Sequence, residues 1–155
     1  MAYRIAGLAP TEFAALFGLD DAALEARNAR RVTADSPTGY PCRVSLEDAV
    51  PGDALVLVNH VSHDVPTPFR TAYAIYVRAD AAEPALYEDA VPEMLARRTL
   101  SLRGFDAEGM LKTALLAAPG EADGKIRELL ERPDLASIHA HNAAYGCFLA
   151  KIERN

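Results

Sequence analysis

The chain has 155 residues, of which 50% are hydrophobic and 25% are charged. This composition is typical of one folded domain and excludes a disordered, fibrous or membrane protein, so we predict a single domain over residues 1–155. The formal net charge of −6 argues against nucleic acid or an anionic membrane surface as the main partner, because both require a concentrated positive field.

The sequence predicts a soluble protein of the cytoplasm. No apolar stretch of signal-peptide length precedes Pro10. The purest apolar run, residues 54–58, ends at Asn59 and is far shorter than the ~20 residues that a membrane helix needs. The two cysteines, Cys42 and Cys147, are too few for a disulfide framework and too far apart for a C-x-x-C motif.

Short strands outnumber helices in the predicted order of elements. Apolar spacing and an N-cap at Asp20 predict short helices over residues 11–18, 21–29, 92–98 and 120–132. Alternation and turn signals predict strands over residues 3–7, 42–46, 54–60, 73–77, 99–103, 110–117, 137–141 and 147–153. A long irregular loop is expected over residues 60–71, and loops of that length are often functional or mobile.

These elements predict an α+β fold. We expect a mainly antiparallel sheet of about six to eight short strands, with short helices at the N-terminus and before the C-terminal hairpin. A parallel, doubly wound sheet requires long helices between most strands, and the sequence lacks them.

Several distinctive segments carry a family resemblance. They are DSPTGYPCRVSLEDA at residues 35–49, TPFR at 67–70, LSLR at 100–103, HAHN at 139–142 and GC at 146–147. Over residues 30–154 the chain resembles the bacterial domain-of-unknown-function family 1203. The strand after Pro-Phe-Arg usually contains Gly-Pro in that family, where this chain has Tyr73-Ala74. The resemblance implies a fold relative and no catalytic assignment.

Two histidines suggest a metal site near the C-terminus. His139 and His141 are two positions apart on a predicted strand, so they share a face. With Cys147 they would offer three ligands to a divalent metal such as zinc. The alternative is that both imidazoles are solvated or bonded to neighbours on a polar face, and on balance no cofactor is expected.

Cys147 is also a candidate nucleophile. If residues 142–146 form the loop of the C-terminal hairpin, with Gly146 at positive φ, His141 lies directly opposite Cys147. An imidazole beside a thiol favours the reactive thiolate, which predicts a minor enzyme that uses Cys147 with His141. A one-residue slip would instead make Cys147 a core residue.

A second set of residues predicts binding of a small anionic metabolite. Arginine binds carboxylate and phosphate through paired N–H donors, and Arg43 and Arg103 are placed on the polar faces of their strands. The predicted binding residues are Arg43, Arg70, Arg103, His139 and Asn142. His60, His63 and Asp64 of the long loop could add ligands. Ordinary surface ion pairs explain the arginines equally well.

Self-association is a further expectation. The segment at residues 3–7 carries one charge, Arg4. We expect it to be an edge strand, and an edge strand with so few charges tends to pair with a strand of another chain. Two such edges related by a two-fold axis would form a homodimer.

Overall fold

The structure is a computed structural model that describes all residues from Met1 to Asn155. Its strands are β1 (Tyr3–Ala6), β2 (Ala29–Thr33), β3 (Ala54–His63), β4 (Thr71–Arg78), β5 (Leu86–Glu88), β6 (Leu100–Phe105), β7 (Leu111–Ala117), β8 (Ser137–Asn142) and β9 (Phe148–Arg154). Its helices are α1 (Asp21–Ala26), α2 (Glu93–Ala96) and α3 (Ala122–Leu130), and two 3-10 turns, Pro10–Glu12 and Ala14–Gly18, precede them.

The strands form two antiparallel sheets. The larger sheet has six strands in the order β5-β1-β9-β8-β6-β7, and the smaller has three in the order β2-β3-β4. The predicted α+β class is confirmed. The expectation of one sheet was incomplete, because the short strands divide between two.

One face of the larger sheet carries the main hydrophobic core. Ile138 and Ala140 of β8 lie beside Leu102 of β6 and Ile152 of β9, and Ile126 of α3 joins the same cluster. Full burial of a side chain such as leucine or isoleucine contributes ~1.5–3 kcal/mol relative to an exposed one. The apolar alternation in β8 therefore fixes which of its faces turns toward α3.

The smaller sheet was only partly predicted. Strand β2 was not predicted, and its first residue, Ala29, was assigned to the helix over residues 21–29. In the structure α1 ends at Ala26, and Asn28 has a φ of 53°, which reverses the chain into the sheet. Strand β3 continues to His63. The predicted loop over residues 60–71 therefore shortens to residues 64–70, and His60 and His63 belong to a strand.

The N-terminal segment before α1 is wound more tightly than predicted. Residues 11–18 form 3-10 turns and not one α-helix, with i to i+3 bonds such as Phe13 N–H to Pro10 O (3.0 Å) and Leu16 N–H to Phe13 O (3.0 Å). Asp20 caps α1 as expected, since its carboxylate accepts from the Ala23 N–H at 2.8 Å.

Strand β1 is not an edge strand. It pairs with β9 on one side and with β5 on the other, where Ile5 lies opposite Tyr87. The sequence prediction was wrong because β5 has only three residues and shows no alternation long enough to detect. The structure thus removes the open edge on which the expected homodimer was based.

The predicted strand at residues 42–46 is also wrong. Pro41 and Cys42 make isolated bridges, to Asp48 and Tyr76, and the chain between Cys42 and Glu47 is a turn in which Leu46 has a φ of 53°. Cys42, Val44 and Leu46 are buried as expected, but Arg43 is buried with them. The backbone folds around the arginine, so no polar face exists there.

Candidate functional site

A cavity of about 530 Å³ opens beside the outer side of β4. Four parts of the chain form its wall: the turn at Arg43, strand β4 at Tyr76, the end of α2, and the loop between β8 and β9. The end of α2 contributes Arg97 and Arg98, the last residue of β8 contributes Asn142, and the loop contributes Cys147. Its volume is in the range of small-molecule sites, and its polar side chains are mostly cationic or neutral donors.

Arg43 is the most buried polar group of this cavity, with 1% of its surface exposed. Its Nε donates to the Phe148 carbonyl at 2.8 Å and its Nη1 to the Pro41 carbonyl at 2.6 Å. Its Nη2 donates to the Cys147 Sγ at 3.2 Å. These bonds use three of the five guanidinium N–H groups. No carboxylate lies within ion-pair distance of Arg43, whereas the neighbouring Arg97 and Arg98 both pair with Asp48.

The guanidinium of Arg43 remains charged in this setting. Burial lowers its pKa, and the neighbouring Cys147 sulfur opposes that shift. Because the ordinary pKa of arginine is so high, protonation at neutral pH persists. Arg43 is therefore a buried cation held by two carbonyl oxygens and a sulfur atom.

Arg97 and Arg98 add two more cations at the end of α2. Arg98 bonds both oxygens of Asp48, at 2.6 and 3.0 Å. Arg97 reaches the same carboxylate at 3.3 Å and the exposed Glu93 at 3.7 Å. The Asp48 side chain is only 3% exposed, so it is the buried anchor that holds both arginines at the cavity.

The loop between β8 and β9 is stabilised by Asn142. The Oδ1 of Asn142 accepts from the Ala144 and Tyr145 N–H groups, both at 3.0 Å, and Gly146 takes a φ of 80°. The positive φ predicted for Gly146 is confirmed. Since Oδ1 is occupied, the Nδ2 group of Asn142 is the donor left for the cavity.

The predicted register of this hairpin is wrong. His141 lies opposite Phe148 and His139 opposite Lys151, because a bulge follows Ala140. Asn142 stays in the strand and bonds Cys147 through its backbone, so the loop begins one residue later than predicted. Cys147 is partly exposed at the cavity, so the change in register does not place it in the core.

His141 and Cys147 have different hydrogen-bond partners. The Nδ1 of His141 donates to the Gly146 carbonyl at 2.9 Å, while Cys147 accepts from Arg43. The partner that the structure gives to the Cys147 sulfur is thus a guanidinium and not the expected imidazole. Catalysis by Cys147 stays a prediction.

His139 and His141 share a face of β8, as expected, but that face is buried. Their exposed fractions are 3% and 1%, and aromatic rings surround them, including Phe105, Tyr73 and Phe148. Burial, with the nearby His63, lowers the pKa of His139 to about 3. Burial lowers the pKa of His141 to about 4, against the opposing bond to Gly146. Both imidazoles are neutral at pH 7.

The predicted metal set is not assembled. No group of three or more His, Cys, Asp and Glu side chains is placed to hold a metal ion. The rings of His139 and His141 lie 6.4 Å apart, centroid to centroid, and Cys147 bonds Arg43 instead. The zinc site at these three residues stays a prediction.

The remaining predicted residues lie elsewhere. Arg70 is exposed and pairs with Asp64 at 2.9 Å. Arg103 donates to the Tyr73 Oη at 3.1 Å and to the Ser101 Oγ at 3.2 Å. Of the five residues predicted to bind an anion, Arg43 and Asn142 line the cavity, whereas Arg70, Arg103 and His139 do not.

Arg97, Arg98 and Asp48 were missed by sequence reasoning. Arg97 and Arg98 stand at the end of a predicted short helix, where basic residues are common for reasons of helix stability alone. Asp48 belongs to the same distinctive segment as Arg43. Only the fold shows that these two segments, 50 residues apart, meet through one carboxylate.

A second cavity of about 320 Å³ lies at the other end of this buried histidine face. Its lining includes His139 and Ser62, whose Nδ1 and Oγ atoms are buried without a hydrogen-bond partner. Because both atoms are closed off from solvent, they offer no donor or acceptor to a molecule in that cavity.

Comparison with known proteins identifies the family. The family described as "Protein of unknown function (DUF1203)" matches residues 39–154, and the chain belongs to it. No curated protein and no solved structure matches. None of the helices is long and apolar enough to cross a membrane. The matched range contains every residue assigned above to the 530 Å³ cavity.

Proposed function

We propose that this member of the DUF1203 family binds a small anionic metabolite, with a carboxylate or phosphate group, in the 530 Å³ cavity. The observation that carries the proposal is Arg43, a buried cation that lines the cavity and has no carboxylate partner. A buried charge without a counter-charge costs several kcal/mol. An anion in the cavity would compensate it.

The donors around the cavity suit an oxyanion. Arg43 retains two unbonded N–H groups, and a guanidinium presents its donors as a planar fork that matches carboxylate and phosphate oxygens. Asn142 contributes its free Nδ2 group. The Arg97 side chain is 37% exposed and shares Asp48 with Arg98, so its guanidinium keeps donors for a ligand.

The charge balance also favours an anion. Three guanidinium groups line the cavity, and its one buried carboxylate, Asp48, pairs with Arg97 and Arg98 but not with Arg43. The exposed Glu93 adds only a weak, solvent-screened pair to Arg97. The cavity is therefore a positive region on a chain whose formal net charge is −6, and it discriminates against cationic ligands.

The rest of the ligand would contact an aromatic and apolar wall. Tyr76 and Pro41 line the cavity, and Tyr145 stands at its rim with 89% of its surface exposed. A short carbon skeleton fits between these groups. We place this binding activity in the cytoplasm, where small carboxylates and phosphate esters are abundant and Cys147 remains reduced.

Titration with simple probes tests the proposal. Inorganic phosphate and succinate are added to the purified protein, and backbone amide NMR shifts of Arg43, Asn142 and Cys147 are followed. We expect saturable shifts at these residues that weaken as salt is added, because screening reduces attraction to a charged site. Succinamide, the neutral analogue of succinate, should produce none.

Two matched variants complete the test. Arg97→Gln removes a cavity guanidinium, and Arg70→Gln removes an exposed one that pairs with Asp64. Loss of one charged donor costs ~1.5–3 kcal/mol, so Arg97→Gln should weaken probe binding about ten-fold or more, and Arg70→Gln should leave it unchanged. Binding of neither probe, or equal effects of the two variants, would overturn the proposal.

A further inference from the structure

The two cysteines of the chain have different surroundings. Cys42 is fully buried, and its sulfur accepts only backbone N–H groups, from Arg78 at 3.3 Å and Ser45 at 3.5 Å. Cys147 is partly exposed, lines the 530 Å³ cavity and accepts a guanidinium N–H at 3.2 Å. Only Cys147 combines access from solvent with a cationic partner.

Arg43 is fixed in place and cannot turn away from this sulfur. Its bonds to the Pro41 and Phe148 carbonyls clamp the guanidinium from two sides. With no carboxylate nearby, the sulfur is the one atom in contact with Arg43 that can carry a full negative charge. The thiolate is the reactive form of cysteine, and adjacent cationic groups favour it.

Arg43 also has donors to spare. Two of its five N–H groups have no partner, although the side chain is almost completely buried. The side chain lines the 530 Å³ cavity. An oxygen atom added to the sulfur would find hydrogen-bond donors there without rearrangement of the fold.

We propose that Cys147 is a site of reversible oxidation by a hydroperoxide. The thiolate attacks one peroxide oxygen, the O–O bond breaks, and an S–O bond forms. Sulfur loses two electrons, and the second peroxide oxygen leaves as hydroxide or alkoxide, which takes a proton from water. The product is a sulfenic acid at Cys147, and Arg43 holds its oxygen through the free N–H groups.

Oxidation would also control the site described above. This part rests on the proposed function, because the sulfenic oxygen takes the donors of Arg43 that an anionic ligand would use. Oxidised protein should then bind phosphate or succinate more weakly than reduced protein. A thiol reductant should restore binding, since a sulfenic acid is reversible.

Trapping with dimedone, which reacts with sulfenic acids, tests the modification itself. The protein is treated with an equimolar amount of hydrogen peroxide and then with dimedone, and the adducts are located by peptide mass spectrometry. We expect the adduct on Cys147 and none on Cys42, which is the internal control. Absence of an adduct on Cys147, or equal labelling of both cysteines, would overturn the proposal.

The rate of alkylation at pH 7 tests the role of Arg43. Iodoacetamide should modify Cys147 at least ten-fold faster than it modifies N-acetylcysteine amide. Arg43→Lys keeps the charge and loses the clamp, and Arg43→Met loses both, so the rate should fall in that order. If Arg43→Met does not fold, the wild-type protein alone still tests the proposal. Alkylation of Cys147 no faster than that of N-acetylcysteine amide would show that its sulfur is not activated.

The last measurement separates this inference from the proposed function. Cys147→Ser cannot be oxidised in this way, so whatever affinity it has for phosphate or succinate should be the same with and without peroxide. Wild-type protein should lose affinity about ten-fold after oxidation and regain it with dithiothreitol. If neither probe binds any form, the proposed function fails while the dimedone result stands. If oxidised protein binds as well as reduced protein, the regulatory link fails.

Discussion

Arg43 donates a hydrogen bond to the Cys147 sulfur at 3.2 Å, although the two residues are 104 positions apart. The same guanidinium bonds the carbonyls of Pro41 and Phe148. One side chain thus joins the turn at residues 41–48 to the start of β9. This contact defines the candidate site, and removing it should lower the stability of the fold by a measurable amount.

Replacement of Arg43 by methionine should destabilise the fold. The change leaves the Pro41 and Phe148 carbonyls buried without donors, and each unsatisfied group costs ~1–3 kcal/mol. We expect the free energy of unfolding to fall by about 2–6 kcal/mol in urea titrations. Arg70→Met, at an exposed pair, should leave the midpoint almost unchanged. Similar midpoints for the two variants would show that the clamp contributes little.

Local patterns predicted most of the fold. The period-two alternation placed His139 and His141 together on one face of β8, and the structure confirms this, but that face is buried and not polar. Strand β5 and the turn around Arg43 were not predictable in this way. Both depend on pairing with distant segments, β1 for the former and Phe148 for the latter.

The candidate site was predicted in part, for a related reason. Arg43, Asn142 and Cys147 were selected by residue type, and the structure brings all three to one cavity. The predicted partner of Cys147 was wrong because the bulge after Ala140 shifts the hairpin register, and a bulge of one residue leaves no composition signal. Arg97 and Arg98 join the site only through tertiary contact with Asp48.

Neutralising Asp48 should destabilise the protein and disorder the arginine pair. Asp48 is nearly fully buried and bonds both Arg97 and Arg98, so Asp48→Asn leaves two guanidinium groups without their counter-charge. Breaking a buried ion pair by removing one partner typically costs ~3–5 kcal/mol. Urea unfolding should show a loss of this size. Asp64→Asn, which breaks the exposed pair with Arg70, is the matched control and should unfold at nearly the wild-type midpoint.

Two glycines should respond in opposite directions to alanine. A Cβ at Gly7 would lie 1.9 Å from the Val44 carbonyl oxygen, a backbone atom that cannot move aside. Gly7→Ala should therefore fold poorly or not at all. Gly124 is the third residue of α3 and has nothing within 4 Å of an added Cβ, so Gly124→Ala should raise stability by up to ~1 kcal/mol. Thermal unfolding measures both effects, and a stable Gly7→Ala protein would refute the predicted clash.

The buried histidines should make the protein sensitive to acid. Burial lowers the pKa of His139 to about 3 and of His141 to about 4, and it also lowers that of His60. The groups that face the first two are His63 of β3, Arg103 of β6, Lys151 of β9 and Arg43 of the turn. All four are basic side chains that carry or can carry a positive charge, so none of them stabilises a charged imidazolium.

The sign of the pH effect follows from the direction of these shifts. Below the ordinary histidine pKa of ~6.5, the unfolded chain binds protons at His139 and His141 that the folded chain rejects until about pH 3–4. Stability is therefore complete above pH 6.5 and falls as the pH decreases toward 4, by up to ~1.4 kcal/mol per pH unit for each histidine. Urea midpoints at pH 7.5, 6, 5 and 4.5 measure the slope. His139→Gln, which cannot titrate, should lower stability at pH 7.5 but show a shallower decline. A slope equal to that of the wild type would show that His139 is not a source of the acid sensitivity.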